Sequence, residues 1–232
     1  MRPLSDVWAK PVLPIDGRPV VGTLVRELAA AGFRLVTVVV GPHGSQIVEL
    51  LGDGTSFGVE LRYAEQPEPL GSADAVRRAL SAGAQTPALV VGADMVFTPG
   101  DLGRVVREWS GSGAGGGLGV RSIPAEELGH QTPVTVESGR VHDLGGAPRE
   151  TEAGVLTGAP VWFLGEEVAA LLDGLPGPPY ELGSAFQEAL RRQIEIVALG
   201  LGPTRDVTRP EDVLRRNFPY LSRWGRGETG GA

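Results

Sequence analysis

The chemistry suggested by this sequence begins with its one lysine. Lys10 is the only lysine among 232 residues, and the other twenty basic residues are all arginine. Lysine carries a compact charge on a flexible stem and arginine a planar fork, so a phosphate site that uses a point charge does not accept the exchange freely. Taken alone, an arginine-rich composition explains a single lysine equally well. Acidic and amide side chains further along the chain favour a phosphate site.

Two aspartates follow segments with the pattern of strands. Asp94 comes shortly after the apolar run Ala88–Val91, and Asp206 follows the strand-like Glu195–Leu199. Ligands of open α/β sheets bind beyond the carboxyl ends of the strands, where a carboxylate is well placed to hold Mg²⁺. The alternative for each is a turn residue or a helix cap. Together with Lys10 they would form a metal and ammonium clamp for a polyphosphate, which is the charge neutralisation that phosphoryl transfer needs.

A polar loop after the predicted strand Val59–Ala64 suggests a pocket for a nucleobase. Gln66 has a donor and an acceptor in one side chain and can pair with an amide-like base edge. Gly71 lets a backbone N–H approach a planar ring closely, because it has no side chain. Ser72 is equally a candidate for capping the helix that follows.

The glycine-rich segment 110–117 contains a G-x-G-x-x-G match at Gly111, Gly113 and Gly116. That motif binds dinucleotides when it leaves a strand and opens a helix. Here it leaves a predicted helix and enters the strand-like Leu118–Ile123. We therefore predict a flexible connector, and disfavour the nicotinamide dehydrogenase that the motif would otherwise indicate.

Alternating helical and strand patterns form the framework around these residues. Short connections between alternating elements predict a mostly parallel sheet with right-handed crossovers. The predicted strands are 35–40, 59–64, 88–91, 118–123, 134–137, 140–144, 155–164 and 195–199. The predicted helices are 19–31, 46–51, 72–82, 100–109, 166–172, 181–192 and 210–217. We expect one domain over residues 1–220 and a flexible tail over 221–232.

Composition excludes several functional classes. A net charge of −7 argues against nucleic acid as a partner, and the lack of cysteine excludes thiolate zinc sites and cysteine nucleophiles. No apolar run reaches transmembrane length and the N-terminus lacks a secretory pattern, so we expect a soluble, cytoplasmic protein with no membrane partner. Hydrophobic residues make up 41% of the chain, enough for a sizeable core.

Several motifs, taken in order, resemble the sugar-phosphate nucleotidyltransferases, also called nucleoside-diphosphate-sugar pyrophosphorylases. They extend from the N-terminus to about residue 217, with the more specific matches in the first half. The matching segments are Arg2–Ser5, Lys10–Pro14, Gly17–Pro19, Gly52–Gly54, Phe57–Val59, Glu65–Gln66, Pro69–Ala75, Ala93–Asp94, Asp206 and Pro210–Asp212. The resemblance implies a Rossmann-like α/β fold of the nucleotide-diphospho-sugar transferase type, with a mostly parallel mixed sheet flanked by helices.

The resemblance also implies a reaction. A sugar 1-phosphate oxygen would attack the α-phosphorus of an NTP in line and release pyrophosphate, giving an NDP-sugar. Lys10 would contact phosphate as a catalytic residue, and catalytic Asp94 would share Mg²⁺ with Asp206. Positioning and charge stabilisation, rather than a general base, would supply the rate.

By the same resemblance, Gln66, Gly71 and Ser72 would contact the nucleotide, and Glu181 and Gly158 the sugar. The expected partners are an NTP and a sugar 1-phosphate. The sequence leaves open which base and which sugar are used, and whether the protein forms a homo-oligomer.

The sequence departs from the family at its start. The family's first strand and its Gly-rich loop, which ends in Gly-Thr-Arg, have no counterpart before Met1, so we expect an N-terminally incomplete domain. Either the chain is longer, with Met1 an internal residue, or this is an impaired homologue that binds a nucleotide sugar or a partner subunit in a regulatory role. The family's Glu-Lys-Pro is also replaced by the segment Leu144–Pro148, and Met95 follows Asp94 where a polar residue is common.

Overall fold

The computed structural model describes residues 4–129, 131–151, 153–206 and 210–217, with the backbone alone at positions 206, 215 and 216. The α-helices of this part are α1 Val20–Ala30, α2 Gly44–Leu51, α3 Ser72–Ser81, α4 Asp101–Ser112, α5 Glu166–Ala169, α6 Leu182–Arg191 and α7 Pro210–Asn217. Its strands are β1 Pro14–Ile15, β2 Arg18–Pro19, β3 Leu35–Val40, β4 Glu60–Glu65, β5 Ala88–Val91, β6 Met95–Val96, β7 Gly116–Ile123, β8 Val134–Glu137, β9 Arg140–Leu144, β10 Glu150–Thr151, β11 Gly154–Leu164, β12 Ile196–Gly200 and β13 Arg205–Asp206. The predicted alternation is therefore confirmed, and most element ends move by only a few residues. The tail predicted over 221–232 lies outside the described residues.

The main sheet is mixed, as predicted. Six of its strands follow the order β10-β11-β7-β12-β9-β8, and β5 pairs with the second half of β11. Strand β11 is antiparallel to β10, β5 and β7, whereas β12 is parallel to β7. Strand β9 is antiparallel to both β12 and β8. Five strands therefore run in one direction and only β11 and β9 in the other, which confirms an α/β fold with a mostly parallel mixed sheet flanked by helices.

Strands β3 and β4 form a separate parallel pair. In the described part of the chain no backbone ladder joins them to the main sheet, where β5 pairs only with β11. Side chains make the connection instead: Leu24 and Leu28 of α1 pack in one cluster with Val36 of β3 and with Leu89 of β5. The second connection is α3, which packs on β3 and β4 and also contacts α6. The sheet thus consists of two pieces held together by helices.

The glycine-rich segment is ordered at both ends, so the prediction of a flexible connector was wrong. Helix α4 extends to Ser112, and Gly116 and Gly117 are buried within β7. A Cβ at Gly116 would lie 2.7 Å from Ile196 Cδ1, and one at Gly117 would lie 3.0 Å from Leu199 Cδ1. The side chains of β12 therefore require glycine here. The segment leads from a helix into a strand, which confirms that it is no dinucleotide loop.

The N-terminal segment runs from a 3₁₀ turn at Leu4–Asp6 to a second 3₁₀ turn at Lys10–Val12. Between them, Ala9 is buried in a cluster that also contains Val21 and Val40. This packing fixes the backbone beside the single lysine. Among the described helices, none has the length and apolar character needed to cross a bilayer.

Candidate active site

Lys10 and Asp94 are in direct contact, as the clamp predicted from the sequence requires. The Lys10 Nζ lies 2.5 Å from Asp94 Oδ2. Asp94 lies in the turn that follows β5. The two side chains are 30% and 35% exposed, so both are only partly buried. An ammonium next to a carboxylate at a strand's carboxyl end can neutralise phosphate oxygens from one side and hold a cation from the other.

Gln46 positions the segment that carries Lys10, which the sequence reasoning did not detect. Its side-chain Oε1 accepts a hydrogen bond of 2.7 Å from the Ala9 N–H, and its Nε2 donates one of 2.7 Å to the Val7 carbonyl oxygen. Gln46 lies in the first turn of α2, directly after β3. The bonds therefore attach the lysine segment to the carboxyl end of β3, while Asp94 attaches it to that of β5. No local sequence signal announces a contact across 37 positions.

The structure also brings the backbone of Asp206 to the site. Strand β13 pairs with β6 so that Asp206 is opposite Met95, the residue after Asp94. The side chain of Asp206 is outside the described part of the chain, so its metal-ligand role stays a prediction. Among the described residues, no group of three or more His, Asp or Glu side chains is arranged as a metal site. The carboxylate of Asp94 nevertheless fits Mg²⁺, which is bound by one or two protein carboxylates together with substrate phosphates.

Gln66 and Gly71 lie together at the end of β4. The Gln66 Nε2 donates to the Gly71 carbonyl oxygen at 3.0 Å and to Asp74 Oδ2 at 2.9 Å. Gly71 has φ +108°, and a Cβ there would lie 2.2 Å from the Tyr180 carbonyl oxygen. Glycine is thus required by the approach of the Tyr180 backbone on one side, whatever binds on the other. The contacts of both residues with a base stay a prediction.

Asp74 is a charged residue of this region that the sequence reasoning missed. It is 8% exposed and lies in the first turn of α3. Its Oδ2 accepts a 2.7 Å hydrogen bond from Arg78 Nε, and its Oδ1 is 3.6 Å from an amino nitrogen of Arg77. The hydrogen bonds from Arg78 and then Gln66 lower the pKa of Asp74 below its usual value, so the carboxylate is ionised at neutral pH. Its i,i+4 spacing from Arg78 was the available sequence signal.

Ser72 and Glu181 join the starts of two helices. The Ser72 hydroxyl donates to Glu181 Oε2 at 2.5 Å and accepts a 2.8 Å hydrogen bond from the Leu182 N–H. Ser72 begins α3, and Glu181 immediately precedes α6. The predicted cap of the helix that follows Ser72 was wrong, because Gly71 occupies the N-cap position of α3 and no side chain caps that helix. Ser72 instead accepts a hydrogen bond from the first N–H of α6. Glu181 is exposed to solvent. Contact of Ser72 with the nucleotide and of Glu181 with the sugar stay predictions.

Gly158 lies inside β11, at a shift in its pairing with β7. Its N–H donates a 2.9 Å hydrogen bond to the Thr132 carbonyl oxygen. Its predicted sugar contact is likewise untested. A cavity of about 330 Å³ is lined by residues of α6 and by the segment Ala170–Pro176, but none of the predicted site residues lines it.

Parts of the chain are similar in sequence to two enzymes that transfer nucleotides to sugar phosphates. A stretch of 99 residues is 37% identical to N-acetylmuramate alpha-1-phosphate uridylyltransferase of Neisseria meningitidis, covering 41% of this chain and 42% of that protein. A stretch of 111 residues is 37% identical to glucose-1-phosphate thymidylyltransferase of Mycolicibacterium smegmatis, covering 47% of this chain and 38% of that protein. The matches thus span less than half the length of these relatives.

A solved structure of UDP-glucose pyrophosphorylase complexed with UDP-glucose has a TM-score of 0.79, covering 96% of this chain and 94% of that chain. At 17% identity, the likeness shows the shared fold alone. The family model described as nucleotidyl transferase matches residues 1–201, which is most of the chain. On this match, the protein belongs to the nucleotidyl transferase family.

Proposed function

We propose that this protein joins an NTP to a sugar 1-phosphate, giving an NDP-sugar and pyrophosphate. The contact between Lys10 Nζ and Asp94 Oδ2 at the carboxyl end of β5 carries the proposal. It places an ammonium and a carboxylate where ligands of α/β sheets bind. The curated relatives named above, a uridylyltransferase and a thymidylyltransferase of sugar phosphates, support the same reaction class.

In the proposed reaction, a phosphate oxygen of the sugar 1-phosphate attacks the α-phosphorus of the NTP. The new phosphorus–oxygen bond forms as the bond between the α-phosphorus and the bridging oxygen breaks, and pyrophosphate leaves with the electron pair. Lys10 turns its ammonium from Asp94 to the phosphate oxygens, which its flexible stem allows. It stabilises the negative charge of the transition state, where phosphoryl-group transfer gains most of its rate.

Mg²⁺ fits this chemistry. Asp94 would hold the ion, with Asp206 as the second expected ligand. When bound, Mg²⁺ would supply charge neutralisation to the phosphate groups. Until then, Lys10 balances the charge of Asp94.

Base recognition is assigned to Gln66 and Gly71, and sugar recognition to Glu181 and Gly158. The segment that carries Gln66 and Gly71 contacts the segment that carries Glu181, because the Ser72 hydroxyl donates a hydrogen bond to Glu181 Oε2. We therefore propose that the two substrates bind on either side of this contact. A cytoplasmic location stays a prediction from the sequence, and the oligomeric state stays open.

The test is pyrophosphate release from UTP, dTTP or GTP in the presence of Mg²⁺. The sugar phosphates to try first are glucose 1-phosphate and N-acetylmuramate 1-phosphate, the two kinds named in the relatives. We expect release with at least one pair, and loss of at least a hundredfold in kcat for Asp94→Asn, on the order of the loss of one strong transition-state interaction.

Asp173→Asn serves as the matched control, because Asp173 is an exposed carboxylate in the 3₁₀ turn Leu172–Gly174. Its turnover should equal that of the wild type. No pyrophosphate from any pair, with nucleotide sugar still bound, would replace the proposal with the regulatory alternative. Wild-type turnover in Asp94→Asn would remove Asp94 from the mechanism.

A further inference from the structure

The orientation of the Gln66 amide is fixed by what surrounds its nitrogen. That nitrogen is 3.0 Å from the Gly71 carbonyl oxygen and 2.9 Å from Asp74 Oδ2. A carbonyl oxygen only accepts hydrogen bonds, and so does an ionised carboxylate. Only the NH₂ end of the amide can face both atoms, because the oxygen end would place three acceptors together.

Asp74 is itself held by two arginines. Arg78 Nε donates to Asp74 Oδ2 at 2.7 Å, and Arg78 also donates from an amino nitrogen to the Glu65 carbonyl oxygen at 3.3 Å. Arg77 approaches Asp74 Oδ1 at 3.6 Å, and its guanidinium lies 4.5 Å from the centre of the Tyr180 ring. The carboxylate therefore cannot turn away from Gln66 without losing its pairing with Arg78.

We infer that Asp74 is a positioning residue that fixes Gln66 as a hydrogen-bond acceptor toward the nucleotide. Both N–H bonds of the amide point inward, so the side chain presents Oε1 alone to a base. This inference rests on the proposed function, since it takes Gln66 to contact the base of an NTP.

The fixed orientation selects a class of base. Uracil, thymine and guanine carry a ring N–H beside a carbonyl on the pairing edge, and this N–H can donate to Oε1. Cytosine and adenine present a bare ring nitrogen at the same place, so two acceptors would meet. They could use their amino group only by shifting the whole ring. The inward-facing amide therefore favours bases with a ring N–H.

The experiment measures nucleotide binding by calorimetry without a sugar phosphate, so that no turnover occurs. The wild type is titrated with UTP, dTTP, GTP, CTP and ATP in the presence of Mg²⁺. The readout is a ratio of two dissociation constants. For pyrimidines it is the constant for CTP divided by that for UTP or dTTP, and for purines it is the constant for ATP divided by that for GTP. We expect this ratio to be at least tenfold in the wild type.

Asp74→Ala removes one of the two acceptors that hold the Gln66 amide nitrogen, so the amide turns more readily. The ratio should fall by up to about tenfold, the effect of one hydrogen bond of about 1.4 kcal/mol. Asp74→Asn should keep the ratio, because its amide oxygen can take the place of Oδ2. The matched control is Asp101→Ala, since Asp101 begins α4, has a side chain 12% exposed against 11% for Asp74, and pairs with Arg104. It should lower stability and leave the ratio unchanged.

If Asp74→Ala does not fold, a pair of substitutions at positions 66 and 74 tests the inference instead. Gln66→Glu places a second carboxylate against Asp74 and should weaken binding of the preferred nucleotide at least tenfold. Adding Asp74→Asn restores a donor opposite Glu and should recover part of that loss, since the Gly71 carbonyl oxygen still faces a carboxylate oxygen.

Several results would overturn the inference alone. They are a wild type that prefers CTP or ATP, an unchanged ratio in folded Asp74→Ala, a collapsed ratio in Asp101→Ala, or no recovery when Asp74→Asn is added to Gln66→Glu. Failure of the wild type to bind any of the five nucleotides would overturn the proposed function and this inference with it.

Discussion

Replacing Gly71 by alanine should lower the free energy of unfolding for two reasons, which are backbone strain at a positive φ and a clash with the Tyr180 backbone. Gly71 has φ +108°, and an added Cβ would lie 2.2 Å from the Tyr180 carbonyl oxygen and 2.7 Å from the Tyr180 nitrogen. The Tyr180 backbone cannot easily retreat. Its N–H donates to the Leu70 carbonyl oxygen at 2.7 Å, and its carbonyl oxygen accepts from the Ala73 N–H at 2.8 Å.

The expected loss of unfolding free energy is the sum of both costs. A left-handed conformation costs alanine roughly 1–2 kcal/mol. Forcing extra volume against packed backbone costs about 1–3 kcal/mol more. We therefore expect Gly71→Ala to lose about 2–5 kcal/mol in total. Gly32 isolates the first cost, because its φ is +102° and nothing lies within 4 Å of the added Cβ.

Urea unfolding followed by circular dichroism would measure both variants. Gly32→Ala should lose about 1–2 kcal/mol, leaving a difference of about 1–3 kcal/mol from Gly71→Ala. Because the turn also carries the proposed base site, Gly71→Ala should bind nucleotide more weakly, and Gly32→Ala should not. Equal losses of stability in the two variants would refute the reasoning about the Tyr180 contact.

Three further predictions follow from the site. Lys10→Arg keeps the charge but not its compact shape, so kcat should fall at least tenfold while stability changes by less than about 0.5 kcal/mol; a wild-type kcat would make the lysine incidental. Ser72→Ala should lower the free energy of unfolding in urea by about 1 kcal/mol, because the Leu182 N–H loses its hydrogen-bond acceptor. The control Ser184→Ala, on α6, should change it by almost nothing. Equal losses in the two variants would contradict a capping role for Ser72. The pKa of Asp74 is lowered by Arg78 and Gln66. The stability advantage of the wild type over Asp74→Asn should therefore be full above about pH 5 and shrink as the pH falls below about 4; an advantage already lost at about pH 6 would contradict it.

The elements of the fold were largely readable from the sequence. Strand β3 was predicted with its observed bounds, because Leu35–Val40 is an unbroken and mostly β-branched run. The glycines of β7 misled the prediction, since a Gly-rich segment is typical of linkers. Only the packing of Ile196 and Leu199 against Gly116 and Gly117 reveals why glycine is needed there.

The candidate site was predictable in its residue types and less so in its supports. Lys10 and Asp94 stood out by uniqueness and by position after a strand, and the structure brings them together. Gln46 and Asp74, which hold the backbone of Ala9 and the amide of Gln66, did not stand out. Their roles depend on tertiary contacts that no periodicity or spacing records.

The division of the sheet into two pieces has a consequence for how the protein opens. Within the residues that the structure describes, the β3–β4 pair is joined to the main sheet by the packing of α1 and α3, not by a ladder of backbone hydrogen bonds. Elements linked in this way often exchange their amide hydrogens as separate cooperative units. We therefore expect amides of β3 and β4 to exchange through a partial unfolding that leaves β7, β11 and β12 protected.

A ligand would change this balance. Gln66 belongs to the smaller piece and Asp94 to the larger, so a nucleotide held by both would bind only when the two pieces are docked. By linkage, its binding energy would be added to the free energy of the partial unfolding. Binding of the nucleotide would then stabilise the contact between the two pieces, and their difference in stability would be smallest during turnover.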